Sequence, residues 1–183
     1  MLYSNKKVIR LNAPFDKKEF LFLKAGDEVL LSGEIYTARD QAHKRFVDAY
    51  KKGSALPLDL KGKIIYYCGP AKTPKGKIIG SCGPTTASRM DVFAAPVFEA
   101  GVLAVIGKGR RSEDVRRKIK KYKGIYFIAT GGAGALLSKK VLACEIVCFG
   151  DLGPEAVRKL TVKDFPVIVG IDSKGEDIFK KLQ

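Results

Sequence analysis

The densest concentration of reactive side chains in this sequence is a glycine-rich run that leads into two threonines and an arginine, Gly80-Ser81-Cys82-Gly83-Pro84-Thr85-Thr86-Ala87-Ser88-Arg89-Met90-Asp91. Glycines such as Gly83 let the backbone come close to a ligand, and Pro84 suits a turn or a first helical position. Thr85 or Thr86 is expected to cap the helix that follows. Thr85 and Arg89 are four residues apart, which predicts a hydroxyl and a guanidinium on one helix face. The chemistry implied is an anion-binding active-site loop.

Three further loops carry compatible groups: Thr37-Ala38-Arg39-Asp40, Gly107-Lys108-Gly109 and Thr130-Gly131-Gly132-Ala133-Gly134. Arg39, Arg89 and Lys108 in one cleft would suit a small polyanion, because arginine binds carboxylates through a paired fork and a lysine between glycines is an unobstructed point charge. Each charge-assisted bond contributes about 1.5 to 3 kcal/mol. A phosphate would fit as well, although the run is not a GxxxxGKS/T phosphate loop and the Gly131 stretch is no GxGxxG fingerprint. Asp40 is expected to act as N-cap and to orient Arg39; His43, the only histidine, either faces the cleft or bonds a neighbouring carboxylate.

Elements that would position these loops follow from the apolar pattern. Strands are expected at Glu28 to Leu31, Ile64 to Cys68, Val102 to Ile106, Ile125 to Ala129, Val141 to Phe149 and Val167 to Ile171. Several are almost continuously apolar, so the sheet should be covered on both faces. Helices are expected at Asp40 to Lys52, Thr86 or Ala87 to Ala100, Ser112 to Tyr122, Gly132 to Ser138 and Pro154 to Leu160. Ser112 with Glu113 and Asp114 gives a cap and an acidic first turn, and Gly53 ends the first helix. The alternation from residue 64 to 149 predicts an α/β fold with a largely parallel central sheet. In the N-terminal third, Val8 to Leu11, Phe20 to Phe22 and Glu28 to Tyr36 read as short strands joined by turns at Gly26 and Gly33, a β-rich layer. Ligands in such folds collect beyond the carboxyl ends of strands, where all four loops fall.

With 183 residues and 46% hydrophobic residues, one well-packed domain spanning residues 1–183 is expected and disorder is excluded. The 34 basic and 19 acidic residues give a net charge of +15, consistent with a nucleic-acid surface, acidic substrates or an acidic partner. An RNA-binding module is the competing class, motivated by the charge and by Lys120 to Tyr126, but no RNP or KH signature accompanies it. Residues Met1 to Phe15 mix charges with apolar residues and do not read as a signal peptide. The longest weakly polar stretch, Val92 to Gly107, is broken by Pro96 and Glu99 and is shorter than the roughly 20 residues of a spanning helix. A cytoplasmic location is therefore expected. Cys68, Cys82, Cys144 and Cys148 form no CxxC pair, and reduced thiols are expected, with Cys144 and Cys148 in the core.

Taken in order, Gly33-Glu34-Ile35-Tyr36-Thr37-Ala38-Arg39-Asp40 with His43-Lys44-Arg45, Tyr67-Cys68-Gly69-Pro70, Gly80 to Asp91, Ile106-Gly107-Lys108-Gly109 and Asp164-Phe165-Pro166 resemble the β subunit of class I fumarate hydratase and L-tartrate dehydratase. The resemblance spans roughly Gly26 to Gly175. It implies a swivelling β/β/α domain that completes an active site with a separate α subunit, as an αβ heterodimer pairing into a heterotetramer. It also implies a 4Fe-4S cluster held by that α subunit, with no metal bound by this chain and Cys68 and Cys82 at positions that are not cluster ligands. By motif position Arg39, Arg89 and Lys108 resemble the residues that bind the C4-dicarboxylate, Thr85 resembles the proposed base, and Asp40, His43, Thr86 and Gly83 are supporting candidates. The reaction implied is interconversion of fumarate and (S)-malate, with L-tartrate as the alternative substrate and no activity expected from this chain alone.

Overall fold

The computed structural model describes residues 8–181. In chain order these form β1 (Ile9–Asn12), α1 (Lys17–Leu21), β2 (Glu28–Thr37), α2 (Asp40–Lys51) and β3 (Ile64–Tyr66), followed by a 3₁₀ helix over Ala87–Phe93. After these come α3 (Ala94–Glu99), β4 (Ala104–Gly107), α4 (Glu113–Tyr122), β5 (Ile125–Ile128), α5 (Gly134–Ser138) and β6 (Val141–Cys148). A second 3₁₀ helix over Gly150–Glu155, then β7 (Val157–Ile171) and α6 (Ile178–Lys181), complete the order.

All seven strands belong to one sheet of order β1-β2-β3-β4-β5-β7-β6, and an additional β2–β7 pairing closes β2, β3, β4, β5 and β7 into a barrel-like ring. From β1 to β5 each neighbour runs parallel. Strand β7 is antiparallel to β2, β5 and β6. The fold is thus mixed α/β with a partly parallel sheet, less parallel than the sequence pattern suggested because one long strand seals the ring.

Side chains alternate between two cores with the period of two that strands impose. Ile64, Tyr66, Ala104, Ile106, Ile125 and Phe127 join one cluster, which also takes Leu31, Ile35, Leu160 and Phe165. Ile65, Tyr67, Val105 and Tyr126 join the other, with Phe46 of α2, Phe98 of α3 and Ile119 of α4. Three helices cannot fit within a five-stranded ring, so their side is the outside and the first cluster fills the lumen. Central strands covered on both faces explain the continuous apolar runs.

Local signals hold where the chain makes local bonds. The Ser112 hydroxyl accepts from the Val115 N–H at 3.3 Å to start α4, and Gly53, at φ +64°, follows the end of α2. Four expectations fail. Phe20 to Phe22 is not a strand: Asp16 caps a short helix by accepting from the Lys18 N–H at 2.8 Å, and Phe20 is its buried anchor. Gly33 lies inside β2, at a register shift, rather than in a turn. Pro154 to Leu160 is not a helix; residues from Val157 onward are the start of β7, and the three-residue spacing of Val157 and Leu160 mimics a helical face. Strand β6 is an edge, with Leu142 and Ile146 exposed and Cys144 and Cys148 only half-buried, because nothing pairs beyond it in the sheet order. No helix among the described residues is long and apolar enough to cross a membrane.

Candidate functional site

Because β2, β3, β4 and β5 are parallel, the loops that leave their carboxyl ends share one end of the ring, and every candidate side chain is carried there. Arg39 follows β2 and occupies the N-cap of α2, with Asp40 as the first helical residue. Asp40 therefore does not cap the helix, and α2 has no side-chain cap bond of its own. Its carboxylate instead joins the two arginines: Oδ2 accepts from Arg89 Nη2 at 2.7 Å and lies 3.7 Å from Arg39 Nε. This supports the orienting role and corrects the capping one.

The Arg39 guanidinium lies against Gly69, where a Cβ would come within 2.8 Å of Nη1 and 3.0 Å of Cδ. Its nearest carboxylates are beyond hydrogen-bond range, at 3.7 Å for Asp40 and 3.6 Å from Nη2 to Glu155, and its buried Nε has no partner. Arg39 is thus aligned between two acids with donors unspent. Arg89 is half exposed.

Thr85 and Lys108 meet through the backbone. The Thr85 N–H donates to the Tyr67 carbonyl at 2.6 Å, the Lys108 N–H to the Thr85 carbonyl at 3.1 Å, and the Ala87 N–H to the Lys108 carbonyl at 2.9 Å. Thr86 and Lys108 form a parallel bridge, which splices the glycine-rich run onto the end of β4. Gly107 makes this approach possible: a Cβ there would lie 2.9 Å from both the Ala87 Cβ and the Tyr67 ring. Lys108 is exposed and its stem passes over Gly131. Gly83 faces Gly134 at the start of α5, where the Cys82 N–H donates to the Gly134 carbonyl at 3.1 Å.

The expected helix face shared by Thr85 and Arg89 does not exist. Thr85 precedes the helix, Thr86 at the N-cap makes no side-chain cap bond, and the Ala87–Phe93 segment is 3₁₀ with three residues per turn. The two groups are assembled instead by the ladder to Lys108 and by the Arg89–Asp40 pair.

His43 is fully buried behind these groups, stacked on Phe93 and edge-on to Tyr67. Its Nδ1–H donates to the Arg39 carbonyl at 2.9 Å rather than to a carboxylate. Burial lowers its pKa to about 4, and the nearby Arg111 charge pushes in the same direction. The folded pKa is below the unfolded value, so His43 stabilises above about pH 6.5 and loses up to roughly 3 kcal/mol as pH falls toward 4. As the sole histidine, its ring signals in an NMR titration are expected to stay flat from pH 9 to 5; a midpoint near 6.5 in the folded chain would refute the burial argument.

Sequence reasoning missed an ion pair under the site. Arg111, with a fully buried side chain, donates from Nε to Asp91 at 2.6 Å and from Nη1 to the Tyr67 hydroxyl at 3.4 Å, between the rings of Tyr67 and Tyr126. Asp91 also accepts from the Ser112 N–H at 2.8 Å, tying the 3₁₀ helix to α4. The only sequence hint was an arginine four residues after the apolar end of β4.

The four cysteines are free thiols. Cys68 and Cys82 lie in the same buried core cluster; the hydrogen bond between them, with burial, raises Cys68 well above the ordinary thiol range, and the same bond lowers Cys82. On the edge strand, Cys144 packs against that same cluster and Cys148 against the other one. Among the described residues no group of three or more His, Cys, Asp or Glu is placed to hold a metal ion.

Residues 2–182 match the family model described as Fumarase C-terminus. The chain is 39% identical over 179 residues to fumarate hydratase 2 of Leishmania major, covering 94% of this chain and 31% of that protein. It is 40% identical over 155 residues to the aerobic class I fumarate hydratase of Escherichia coli, covering 84% of this chain and 28% of that one. A Methanocaldococcus jannaschii chain provisionally named L(+)-tartrate dehydratase subunit beta is 40% identical over 172 residues, covering 91% of this chain and 88% of its own length. The chain thus spans about 30% of the length of the fumarate hydratases it matches and most of the subunit-sized relative.

Proposed function

Because this chain belongs to the fumarase C-terminus family, we propose that it is the β-type component of a hydro-lyase that interconverts fumarate and (S)-malate. Its residues 1–183 are read as one domain that swivels against a separate α subunit in the cytoplasm, with two such αβ pairs forming the heterotetramer. The observation that carries the reading is the pair of arginines, Arg39 and Arg89, gathered around Asp40 at the strand ends that also present Thr85 and Lys108.

A hydration of this kind needs both carboxylates of the substrate clamped, a proton moved at carbon and water kept from the wrong positions. Arg39 brings a guanidinium whose neighbouring carboxylates stand beyond hydrogen-bond range, Arg89 can exchange Asp40 for a substrate carboxylate, and Lys108 adds an exposed ammonium. Thr85 is the base in this scheme, its hydroxyl made more acidic by the surrounding cations. The 4Fe-4S cluster belongs to the α subunit and supplies Lewis-acid chemistry at the substrate hydroxyl when bound. The open, half-exposed site fits a chain that is inactive until that subunit covers it. The excess positive charge is assigned to dianionic substrate and to the partner rather than to RNA.

L-tartrate dehydration is the second reading, favoured by the name of the subunit-sized relative. Anaerobic co-expression with the cluster-bearing α subunit, followed by absorbance assays on malate and L-tartrate, decides between them. Malate turnover that requires both chains is the expected result. Tartrate turnover alone would move the substrate, and an intact complex inert to both would refute the hydro-lyase reading.

A further inference from the structure

Helix α2 starts with an arginine where a capping side chain would normally sit, which leaves its first N–H groups without a local acceptor. The acceptor comes from far along the chain. Glu155 Oε2 takes the Gln41 N–H at 2.8 Å, and its other oxygen stands 3.6 Å from Arg39 Nη2. One carboxylate therefore caps the helix, complements its positive end and faces the guanidinium that leaves it.

Glu155 is itself held with unusual redundancy. The Arg158 guanidinium donates to the carbonyls of Gly153 at 2.9 Å, Pro154 at 3.2 Å and Ala156 at 3.1 Å, so one side chain ties three backbone groups that flank Glu155. The Arg158 N–H donates to the Thr37 hydroxyl at 3.0 Å, and that hydroxyl donates to the Ala156 carbonyl at 3.4 Å. Thr37 ends β2, two residues before Arg39. The Pro154 carbonyl also reaches the contact between Gly69 and Arg39, 3.2 Å from where a Cβ on Gly69 would be. Farther along α2, Asp151 takes two bonds from Arg45, at 2.8 and 2.5 Å, and Phe149 packs on Phe46. Residues 149 to 158 form a strap across the first half of α2.

We propose that Glu155 and Arg158 are positioning residues that set the direction of the Arg39 guanidinium, so that its free donors meet a substrate carboxylate without a search. The inference rests on the substrate-binding role given to Arg39 above. A flexible arginine loses rotamer entropy on binding; the strap removes that cost before the ligand arrives. Glu155 stays just beyond hydrogen-bond range of Arg39, which orients the guanidinium without consuming the donors.

In the assembled complex, Glu155→Ala is expected to raise KM about tenfold while kcat stays within about twofold, the signature of lost ground-state positioning. Glu155→Gln, which keeps an acceptor for Gln41, should recover part of this, and Arg158→Lys should resemble Glu155→Ala because a single nitrogen on a flexible stem lacks the rigid fork whose Nη2 reaches Gly153 while Nη1 holds Pro154 and Ala156. In an Arg39→Lys background the Glu155→Ala step should add little. An unchanged KM, or a full additive loss in that background, overturns the proposal. Amide exchange at Gln41 in the 183-residue chain provides a readout independent of turnover. Glu155→Ala should speed it at least tenfold, and unchanged exchange overturns the strap. If the wild-type complex is inert to malate and tartrate, the hydro-lyase reading fails while the Gln41 measurement still decides whether the strap caps α2.

Discussion

Replacing Thr85 with alanine is expected to lower kcat of the proposed αβ enzyme by about a thousandfold, within the range that a positioned general base contributes, and to leave KM within about threefold. The separation is expected because Thr85 is placed by its backbone. Its N–H is bonded to Tyr67 and its carbonyl to Lys108, and both bonds survive the substitution. The hydroxyl makes no hydrogen bond to another described residue, so its loss leaves no buried partner unsatisfied and stability should change by less than about 1 kcal/mol. Thr85→Ser retains the hydroxyl and should keep most of the turnover. Steady-state kinetics on malate with both variants are the check, and near-normal kcat for Thr85→Ala would remove Thr85 from the base role.

The second large effect concerns stability. Arg111→Met is expected to destabilise the chain by about 3 to 5 kcal/mol, because Asp91 is then left with an uncompensated charge among Tyr67, Tyr126 and the 3₁₀ helix. For a chain of this size that is on the order of 10 °C in Tm. Removing both charges, in Arg111→Met with Asp91→Leu, should recover more than half the loss, since an apolar pair of similar volume is tolerated where a lone charge is not. The residual deficit is the Ser112 N–H, which loses its acceptor. Urea and thermal melts of Arg111→Met, Asp91→Leu and the double variant measure this cycle. Additive losses, or a single-variant loss below about 1 kcal/mol, would mean that water reaches Asp91. Asp91 lies two residues beyond Arg89 on the same short helix, so the single variant should also raise KM.

Much of this was legible in the chain. Strands at Ile64, Val102, Ile125 and Val141 and the helices after Asp40 and Ser112 were within reach because alternation, caps and terminal glycines act over a few residues. Strand β7 was not. Its first residues repeat at a spacing shared by helix and strand, and what decides between them is a nine-pair ladder to β2, more than a hundred residues earlier. The helix read for Phe20 to Phe22 as a strand failed the other way, since two aromatics suggest a strand until Asp16 caps the turn before them.

At the site the types were readable and the partnerships were not. The sequence by itself determined which loops carry Arg39, Thr85, Arg89 and Lys108, and that they follow successive strands, because side-chain chemistry and local spacing are written residue by residue. Only the tertiary structure decided that Asp40 joins Arg39 to Arg89, that His43 is buried and neutral, that Arg111 braces Asp91, and that Glu155 caps a helix 114 residues away. The first three follow from parallel pairing of β2, β3 and β4, which sets their loops side by side, and the last from β7, which closes the ring and brings the segment before it to that same end. Closure depends on pairing between distant segments, and no window of local sequence contains the information that sets it.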